Sequence, residues 1–336
     1  MIFVYYMVVM NIVAFLLYRL DKRKAVKDER RISEATLISL VVLGGAFGAL
    51  LGMKTFHHKT KKTKFKITVP LFVVIYTLFI AFTLYQNYHL VVTDFEYTSS
   101  KISSEIDGYT IVQISDLHNQ IFGINEKMLL DKIKAQSPDV IVVTGDVIDM
   151  SHTFYKPAED FFKGAVEIAP VYYITGNHEA WLKGAGGSKQ ERFEEFISDV
   201  EGMGVSFIDD KEVDMGGFML IGVADDNLGS FEYKGDTDRL NILLAHEPDS
   251  VDKYTASDVD LILTGHVHGG QVVIPGKGGL FSPDLGFFPE YYAGAYDVSG
   301  KTMIVSRGLG NSVLPFRINN YPEIVVIKLN EAGDRF

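Results

Sequence analysis

Five short polar motifs contain the residue types that bind metal ions in proteins. Imidazole and carboxylate groups suit borderline divalent ions such as Mn, Zn or Fe, and the oxygens of Asn and Asp favour the harder ions of that series. The chain has no cysteine, which excludes thiolate ligands and disulfide bonds. Five of its nine histidines lie in the motifs, a concentration that chance would rarely produce. In chain order the motifs are Asp116-Leu117-His118, Gly145-Asp146-Val147-Ile148-Asp149, Gly176-Asn177-His178-Glu179, His246-Glu247 and Gly265-His266-Val267-His268.

Each motif taken alone has a commoner structural explanation. A buried Asp-x-His is more often a hydrogen-bonded pair than a ligand set, and Gly-Asp after a strand is usually a turn. His266 and His268 are two residues apart and would point to opposite faces of a regular strand. The flanking glycines instead predict a loop that turns both imidazoles inward. Taken together, the five motifs favour one shared site.

From about residue 109, short β-rich runs alternate with amphipathic helical stretches, and these elements must position the motifs. This pattern is typical of a layered α/β domain. Each motif follows a predicted strand, and in such folds ligands collect beyond the carboxyl ends of the strands, so we expect the motifs to converge on one crevice. The predicted strands cover residues 109–115, 139–144, 171–175, 218–223, 241–245, 261–264, 303–306 and 323–329, and the predicted helices cover 125–135, 158–168 and 189–203.

The first 90 residues differ chemically from the rest. They contain apolar runs at 2–18, 35–53 and 67–85, each close to the ~20 residues that cross a bilayer as a helix. They carry a net charge of +9, whereas residues 91–336 carry −20. We therefore predict N-terminal transmembrane helices in a membrane anchor domain at 1–90 and a separate domain at 91–336. Because an acidic domain repels phosphate backbones, nucleic acid is not an expected partner.

The middle apolar run decides the predicted topology. Gly44, Gly48 and Gly52 lie at four-residue spacing, which favours close helix packing, although a glycine-rich turn that breaks the run is the alternative. The segments 19–31 and 54–66 are both basic, and three full spans would put them on opposite sides, against the positive-inside rule. A middle run that enters the membrane and returns would keep both in the cytoplasm. We therefore expect a multi-pass protein of the cell membrane with residues 91–336 on the outer face; a cytoplasmic domain is the alternative.

The order and content of the five motifs resemble the calcineurin-like metallophosphoesterase superfamily, whose pattern is D-x-H, G-D-x-x-D, G-N-H-E, a lone His and G-H-x-H. The resemblance runs from about residue 105 to about residue 330. It implies a four-layer α-β-β-α sandwich of two mixed sheets with two divalent metal ions at the strand ends. It assigns the first metal to Asp116, His118 and His268, the second to Asn177, His246 and His266, a bridging role to Asp146, proton donation to His178, and orientation of neighbouring groups to Asp149.

A narrower resemblance is to transmembrane metallophosphoesterases. It is carried by the segment 265–271 with Pro275, by Ser306-Arg307-Gly308-Leu309-Gly310 and by Pro322-Glu323-Ile324. The first 90 residues resemble a small bacterial membrane domain of unknown function through the segments 21–23, 31–34 and 43–59. That resemblance implies anchoring and no recognised chemistry.

The sequence therefore predicts a membrane-anchored phosphoesterase that hydrolyses phosphate mono- or diesters or pyrophosphate bonds. Two ions about 3.5–4 Å apart can activate water and stabilise both oxygens of an in-line displacement. Expected partners are a phosphorylated small molecule or lipid, plausibly of the cell envelope, and membrane lipid. Family resemblance includes enzymes that cleave the pyrophosphate of nucleotide-linked acyl sugars, which is one candidate substrate class.

Two other functions are open to the sequence. A metal-binding membrane receptor or scaffold without turnover is the first, although a complete ligand set that includes His178 argues against it. The second makes residues 1–90 a transporter regulated by the phosphoesterase, but the apolar runs contain no ionisable side chain for an ion pathway.

Two features of the C-terminal part bear on substrate binding. Arg307 and Arg317 are candidates to grip a phosphate oxygen, although surface ion pairs are the commoner role of arginine. The aromatic stretch 281–292, if exposed, would form a lip for an acyl chain or the bilayer interface.

Overall fold

The computed structural model describes residues 2–282, 285–312 and 314–333. It divides into two compact units, Met1–Tyr85 and Gln86–Phe336, where the sequence had placed the division after residue 90. The helices are α1 (Ile2–Val26), α2 (Glu34–Leu40), α3 (Ala46–Thr55), α4 (Thr63–Tyr88), α5 (Lys127–Lys134), α6 (Lys156–Ala165), α7 (Asn177–Gly184), α8 (Gly187–Gly202) and α9 (Val251–Ala256).

Sixteen strands are present in the described residues of the second unit. They are β1 (Val91–Ser99), β2 (Thr110–Ile114), β3 (Val140–Thr144), β4 (Val171–Ile174), β5 (Ser206–Phe207), β6 (Lys211–Asp214), β7 (Phe218–Gly222), β8 (Leu240–Leu244), β9 (Leu261–Thr264), β10 (Val273–Ile274), β11 (Gly278–Gly279), β12 (Phe281–Ser282), β13 (Gly286–Phe287), β14 (Gly294–Val298), β15 (Lys301–Val305) and β16 (Glu323–Glu331).

In the first unit, the long helices present many apolar side chains on their outer surfaces. The stretches Val4–Val26, Glu34–Thr55 and Thr63–Tyr88 are long and apolar enough to cross a membrane. Between residues 67 and 85 of α4 most outward side chains are apolar; Val74 and Leu78, for example, are 53 % and 65 % exposed. Continuous apolar surface of this kind is typical of helices that contact a membrane.

The chain reverses direction between α2 and α3. Leu43 and Gly44 depart from helical geometry, with Gly44 at φ 111°. Glu34, the first residue of α2, forms an ion pair with Lys59 just after α3, with 2.9 Å between Oε1 and Nζ. A continuous helix of this length would hold its ends roughly 30 Å apart at 1.5 Å per residue. The middle apolar run is therefore a helical hairpin, which we call the α2–α3 hairpin.

Asp21 near the end of α1 joins both legs of this hairpin at its open end. Its Oδ1 accepts the main-chain N–H of Ile32 at 2.9 Å, and its Oδ2 lies 2.7 Å from Nε2 of His58. The two basic segments that flank the hairpin consequently lie at the same end of the first unit.

Asn11 on α1 satisfies main-chain groups that the reversal leaves without helical partners. Its Nδ2 donates to Gly44 O at 2.9 Å, and its Oδ1 accepts Gly48 N–H at 2.8 Å. A Cβ at Gly48 would lie 1.9 Å from Asn11 O, and one at Gly52 would lie 2.9 Å from the Cβ of Tyr18. Close helix packing is confirmed at Gly48 and Gly52, whereas Gly44 forms the turn.

The second unit contains two mixed six-stranded sheets. The first has the order β1-β16-β2-β3-β4-β5, in which β16 is antiparallel to β2 and the other pairs are parallel. The second has the order β14-β15-β9-β8-β7-β6, in which β15, β9, β8 and β7 are parallel and the two edge strands are antiparallel.

Three apolar cores hold the layers together. One lies between the sheets and includes Ile111, Val142 and Ile242. Alternate residues of the same strands, such as Val143, face outward and pack with α5, α6 and α8. The outer face of the second sheet is covered by α9 and the loop around Tyr233. The four-layer α-β-β-α sandwich predicted from the sequence is confirmed, with a thin fourth layer.

Candidate metal centre

The five polar motifs meet at one edge of the sandwich. They follow β2, β3, β4, β8 and β9, whose carboxyl ends all point to this edge. Within the described residues, three groups of buried side chains place ligand atoms within 4.8 Å of one another: Asp116 with His118 and His268, His118 with Asp146 and His178, and Asp146 with His246 and His266. The predicted convergence is confirmed.

The first group contains Asp116, His118 and His268. Nε2 of His268 lies 3.7 Å from Oδ1 of Asp116, and the rings of His118 and His268 are 4.7 Å apart between centroids. Neither ring nitrogen of His118 has a well-directed hydrogen bond among the described residues, although both are buried. Because buried polar atoms are rarely left unsatisfied, this donor set fits a metal ion.

The second group contains Asn177, His246 and His266. Oδ1 of Asn177 lies 3.1 Å from Nε2 of His246 and 3.3 Å from Nδ1 of His266, and these two nitrogens are 3.3 Å apart. Nδ1 of His246 is 2.7 Å from Thr144 O, which can only accept, so Nδ1 carries the hydrogen and Nε2 turns a lone pair into the cluster. Converging lone pairs of this kind fit a second cation.

Asp146 lies between the two groups. Its Oδ2 is 3.3 Å from Nε2 of His118 and 3.3 Å from Nε2 of His246. Its Oδ1 is fixed by the main-chain N–H of His178 at 2.9 Å. One carboxylate oxygen therefore faces both donor sets at once.

His178 has a tautomer opposite to that of His246. Its Nδ1 accepts the main-chain N–H of Met150 at 3.1 Å, so in the neutral ring the hydrogen is on Nε2. Nε2 is 3.9 Å from Oδ2 of Asp146, and the His178 side chain is 11 % exposed. His178 therefore presents an N–H donor to the edge of the cluster, whereas His246 presents a lone pair.

Positive φ angles aim the site residues inward. Such angles are uncommon in residues other than glycine, cost roughly 1–3 kcal/mol each, and cluster at functional sites. His266 and His268 both adopt them, which explains how two histidines separated by one residue reach the same cluster. The φ angles of the site residues in this region are 53° at Asp116, 45° at His118, 54° at Asp146, 70° at His266 and 51° at His268.

Burial and neighbouring charges shift the pKa values of the site residues in different directions. Burial raises the pKa of Asp116, and the nearby Asp146 adds to this effect. Burial opposes ionisation of Asp146 as well, but the facing His246, His178 and His118 hold its pKa well below the usual range. Burial, with His246 beside it, lowers the pKa of His266 to about 3, so this ring is neutral and able to bind a cation.

Comparison with known proteins identifies the family. A family model of calcineurin-like phosphoesterases matches residues 109–270, and a model of a family of unknown function, DUF1294, matches residues 11–65. The uncharacterized metallophosphoesterase YkuE of Bacillus subtilis is 31 % identical over 268 residues, which span 74 % of this chain and 89 % of the relative. The chain belongs to the calcineurin-like phosphoesterase family.

Two further relatives agree with this membership. The phosphodiesterase YaeI of Escherichia coli is 29 % identical over 230 residues, covering 66 % of this chain and 82 % of the relative. A transmembrane protein with a metallophosphoesterase domain from Danio rerio is 26 % identical over 267 residues, which span 72 % of this chain and 57 % of the relative. The chain is a metal-dependent phosphoesterase with apolar N-terminal helices.

Two acidic residues of this phosphoesterase shape the loops around the cluster. Glu179 is buried; its Oε2 accepts the main-chain N–H groups of Asp146 at 2.7 Å and Gly176 at 2.9 Å, and its Oε1 accepts that of Ile148 at 3.0 Å. Burial raises its pKa to about 7. The sequence analysis identified Glu179 only as a member of a motif. Its position three residues after Gly176, at the start of a helix, is the sequence signal for its hydrogen bonds to these loops.

Asp149 shapes the turn that fixes His178. Its Oδ1 accepts the main-chain N–H groups of Ser151 at 2.7 Å and His152 at 3.0 Å. The turn presents the N–H of Met150 to His178. Asp149 therefore orients the His178 imidazole indirectly, by holding the main chain of the turn that contacts it.

The expectation that Arg307 and Arg317 grip a substrate phosphate is not supported by their environments in this phosphoesterase. Nε of Arg307 pairs with Oε1 of Glu323 at 3.0 Å. Arg317 is only 1 % exposed and donates to main-chain carbonyls. Both guanidinium groups form hydrogen bonds within the fold, which their place in the Gly-rich C-terminal stretch of the sequence did not reveal.

Proposed function

We propose that this phosphoesterase holds two divalent metal ions and hydrolyses a phosphate mono- or diester or a pyrophosphate at a membrane surface. The first ion would be held by Asp116, His118 and His268, the second by Asn177, His246 and His266, and both by Asp146. The single observation that carries the proposal is the position of Oδ2 of Asp146, 3.3 Å from an imidazole of each group. A carboxylate placed in this way is what a dinuclear site requires.

The ions would supply water that ionises near neutral pH and would offset the negative charge that develops on the phosphoryl oxygens. The chain itself supplies a hydrogen-bond donor for the leaving group. His178 carries its hydrogen on Nε2, at the partly exposed edge of the cluster, because Met150 N–H occupies Nδ1. A hydrogen bond from Nε2 would stabilise the negative charge on the departing oxygen, which would then take its proton from water. Mn, Zn and Fe all suit these ligands, and the Asp and Asn oxygens favour testing Mn first.

The first unit supports an outer-face location for the second unit. The α2–α3 hairpin returns to the end of the unit where it began, so α1 and α4 are the two full spans in this proposal. The basic segments at both ends of the hairpin then lie together on the cytoplasmic side. The chain leaves α4 on the opposite side, outside the cell.

A lipid or cell-envelope substrate is supported by exposed aromatic side chains close in sequence to the His266–His268 loop. Phe287 and Phe288 are 72 % and 52 % exposed. Aromatic groups of this kind favour the interface between lipid and water or an acyl chain. The net charge of −20 on residues 91–336 continues to argue against nucleic acid as the substrate.

The test measures turnover and metal content of two detergent-purified full-length proteins, the wild type and Asp146→Asn. The assay would follow hydrolysis of bis(p-nitrophenyl) phosphate and p-nitrophenyl phosphate with Mn²⁺, and plasma emission would count bound metal. We expect two ions per wild-type chain, metal-dependent turnover, and loss of both ions with at least a hundredfold loss of activity in Asp146→Asn. A mutant that retains two ions would refute the bridging role. Two bound ions without turnover on any ester, including lipid phosphates in mixed micelles, would favour the scaffold function.

A further inference from the structure

Arg317 is buried in a way that requires explanation. Its side chain is 1 % exposed, and no ion pair joins its guanidinium to a carboxylate among the described residues. A buried charge without a charged partner is costly, so such a group is retained where its hydrogen bonds serve a purpose. Its guanidinium donates to the main-chain carbonyls of Arg307, at 2.9 Å, and of Gly310.

The peptide groups of Gly310 contact two members of the first candidate metal group. Gly310 N–H donates to the carbonyl of Asp116 at 2.6 Å. Gly310 O lies 3.2 Å from Nδ1 of His268, and a carbonyl can only accept, so the hydrogen of His268 is on Nδ1. Nε2 of His268 is then free to bind a cation and lies 3.7 Å from Oδ1 of Asp116. The carbonyl that Arg317 holds is thus the one that sets the tautomer of His268.

The turn that contains Gly310 packs closely against the loop that carries Asp116. Gly308 has φ 65°, and a Cβ at this position would lie 2.6 Å from the Cβ of Asp116. A Cβ at Gly310 would lie 2.2 Å from Leu117 O. Because the turn lies directly against the Asp116 loop, a displacement of the Gly310 carbonyl would move Asp116 as well as His268.

We propose that Arg317 is a positioning residue for the first metal group: by fastening the turn 307–310, it holds Asp116 and His268 in binding geometry. This inference rests on the proposed two-metal function. Asn177 and His246 of the second group lie on other loops, and no hydrogen bond joins Arg317 to either of them among the described residues. The third member, His266, is linked to the first group, because its main-chain N–H donates to Oδ1 of Asp116 at 3.0 Å. Loss of Arg317 should therefore weaken the first metal site more than the second.

The position of Arg317 is itself fixed by the last turn of α4. Its main-chain N–H donates to Oδ1 of Asn87 at 2.8 Å, and Nδ2 of Asn87 donates to Pro315 O at 2.9 Å. A chain shortened past Asn87 would lack this support, so the experiment requires the full-length protein.

The experiment compares Mn²⁺ binding by the wild type, Arg317→Met, Arg317→Lys and the control Arg239→Met. Arg239 is a partly exposed arginine that pairs with Asp214 at 2.7 Å. Each detergent-purified protein would be stripped with chelator and titrated with Mn²⁺, with free and bound ion followed by electron paramagnetic resonance. We expect Arg317→Met to weaken one of two sites by about tenfold or more, the effect typical of groups that orient metal ligands. Arg317→Lys, which has one donor centre for two carbonyls, should show a smaller weakening, and Arg239→Met none.

Several outcomes would overturn the inference. These are wild-type affinity at both sites in Arg317→Met, equal weakening of both sites, or a lowered melting temperature of the metal-free protein with unchanged binding. If Arg317→Met does not fold, wild-type binding by Arg317→Lys at both sites would be equally decisive against it. The wild-type titration is the separate test of the proposed function: fewer than two ions there would contradict the dinuclear site itself, whatever the variants do.

Discussion

At the scale of single residues, main-chain groups distinguish candidate metal ligands from the candidate hydrogen-bond donor. The second ring nitrogens of His246 and His268 face carbonyls, which leaves a lone pair toward the cluster. The second nitrogen of His178 faces an N–H group, which leaves a hydrogen toward the cluster. The same side chain is thereby suited to two different roles by the polarity of one hydrogen bond.

His178→Ala should lower kcat by roughly 10²- to 10³-fold, the usual effect of removing one hydrogen-bond donor to a developing negative charge, with metal content near wild type. The reason is that His178 supplies an N–H donor to the site and no lone pair. Turnover of bis(p-nitrophenyl) phosphate and bound metal would be measured on the same preparation. His152→Ala, at an exposed histidine of the adjacent turn, is the matched control. Loss of metal in step with loss of activity would instead make His178 a ligand.

Glu126 gives the fold a pH dependence away from the cluster. Its carboxyl group is 1 % exposed and accepts Phe122 N–H at 2.9 Å, and burial raises its pKa to about 7. A raised pKa means that its contribution to stability is full below the ordinary carboxyl pKa and is lost as the pH rises through about 7. Glu126→Gln cannot ionise, so its melting temperature should fall less than that of the wild type between pH 5 and pH 8. Equal falls would contradict this, and Glu167→Gln on the surface is the control.

At the scale of elements, β1 ties the start of the second unit to its end. The sequence did not predict this strand, although it pairs in parallel with β16 from Val91–Glu323 to Ser99–Glu331. Its side chains are mostly half-buried or exposed, and the run Val91–Ser99 mixes polar and apolar residues without a strong pattern. Local sequence therefore gave little signal, and the pairing depends on a partner more than 200 positions away.

A fragment that starts at residue 86 should be more stable than one that starts at residue 95. The shorter fragment loses four strand residues, including Thr93, which donates to Oε1 of Glu323, and also loses Asn87. Each exposed main-chain pair removed costs on the order of 0.5–1.5 kcal/mol, so we expect a drop in melting temperature of several degrees. Thermal melts of both fragments with Mn²⁺ would measure this, and coincident curves would refute it.

At the scale of the whole molecule, the two units differ in charge and in the polarity of their surfaces. The first 90 residues carry +9 and expose apolar helices, whereas the remainder carries −20 around a closed sandwich core. The α2–α3 hairpin reconciles three apolar runs with the positive-inside rule, since it keeps both basic segments on one side. The proposed location outside the cell follows from this geometry.

Single cysteines test this topology cleanly because the natural chain has none. Arg30→Cys and Lys61→Cys lie in the two basic segments, and Glu201→Cys lies in the second unit. With a membrane-impermeant maleimide on intact cells, we expect Glu201→Cys to react and the other two to react only after permeabilisation. Opposite behaviour of the cysteines at positions 30 and 61 would make the middle run a full span. Protection of the cysteine at position 201 would place the second unit in the cytoplasm.

Local sequence was sufficient for the strands and motifs that meet at the metal centre. Each predicted strand forms within a few residues of its expected bounds, because apolar periodicity and burial act over short distances. The types and order of the motif residues predicted a shared site, because few other arrangements gather so many imidazoles and carboxylates at strand ends. The glycines beside His266 and His268 were enough to predict that both turn inward.

Tertiary structure decided the rest. Three features depend on contacts between segments far apart in the chain. Asp146 lies between two donor groups, Gly310 orients His268, and Arg317 is buried rather than facing substrate. The reversal at Gly44 was one of two alternatives in the sequence, and contacts with Asn11 and between Glu34 and Lys59 selected it. The physical reason is the same in each case: periodicity reports which face of an element is buried, but hydrogen-bond partners and backbone angles depend on what packs against that face.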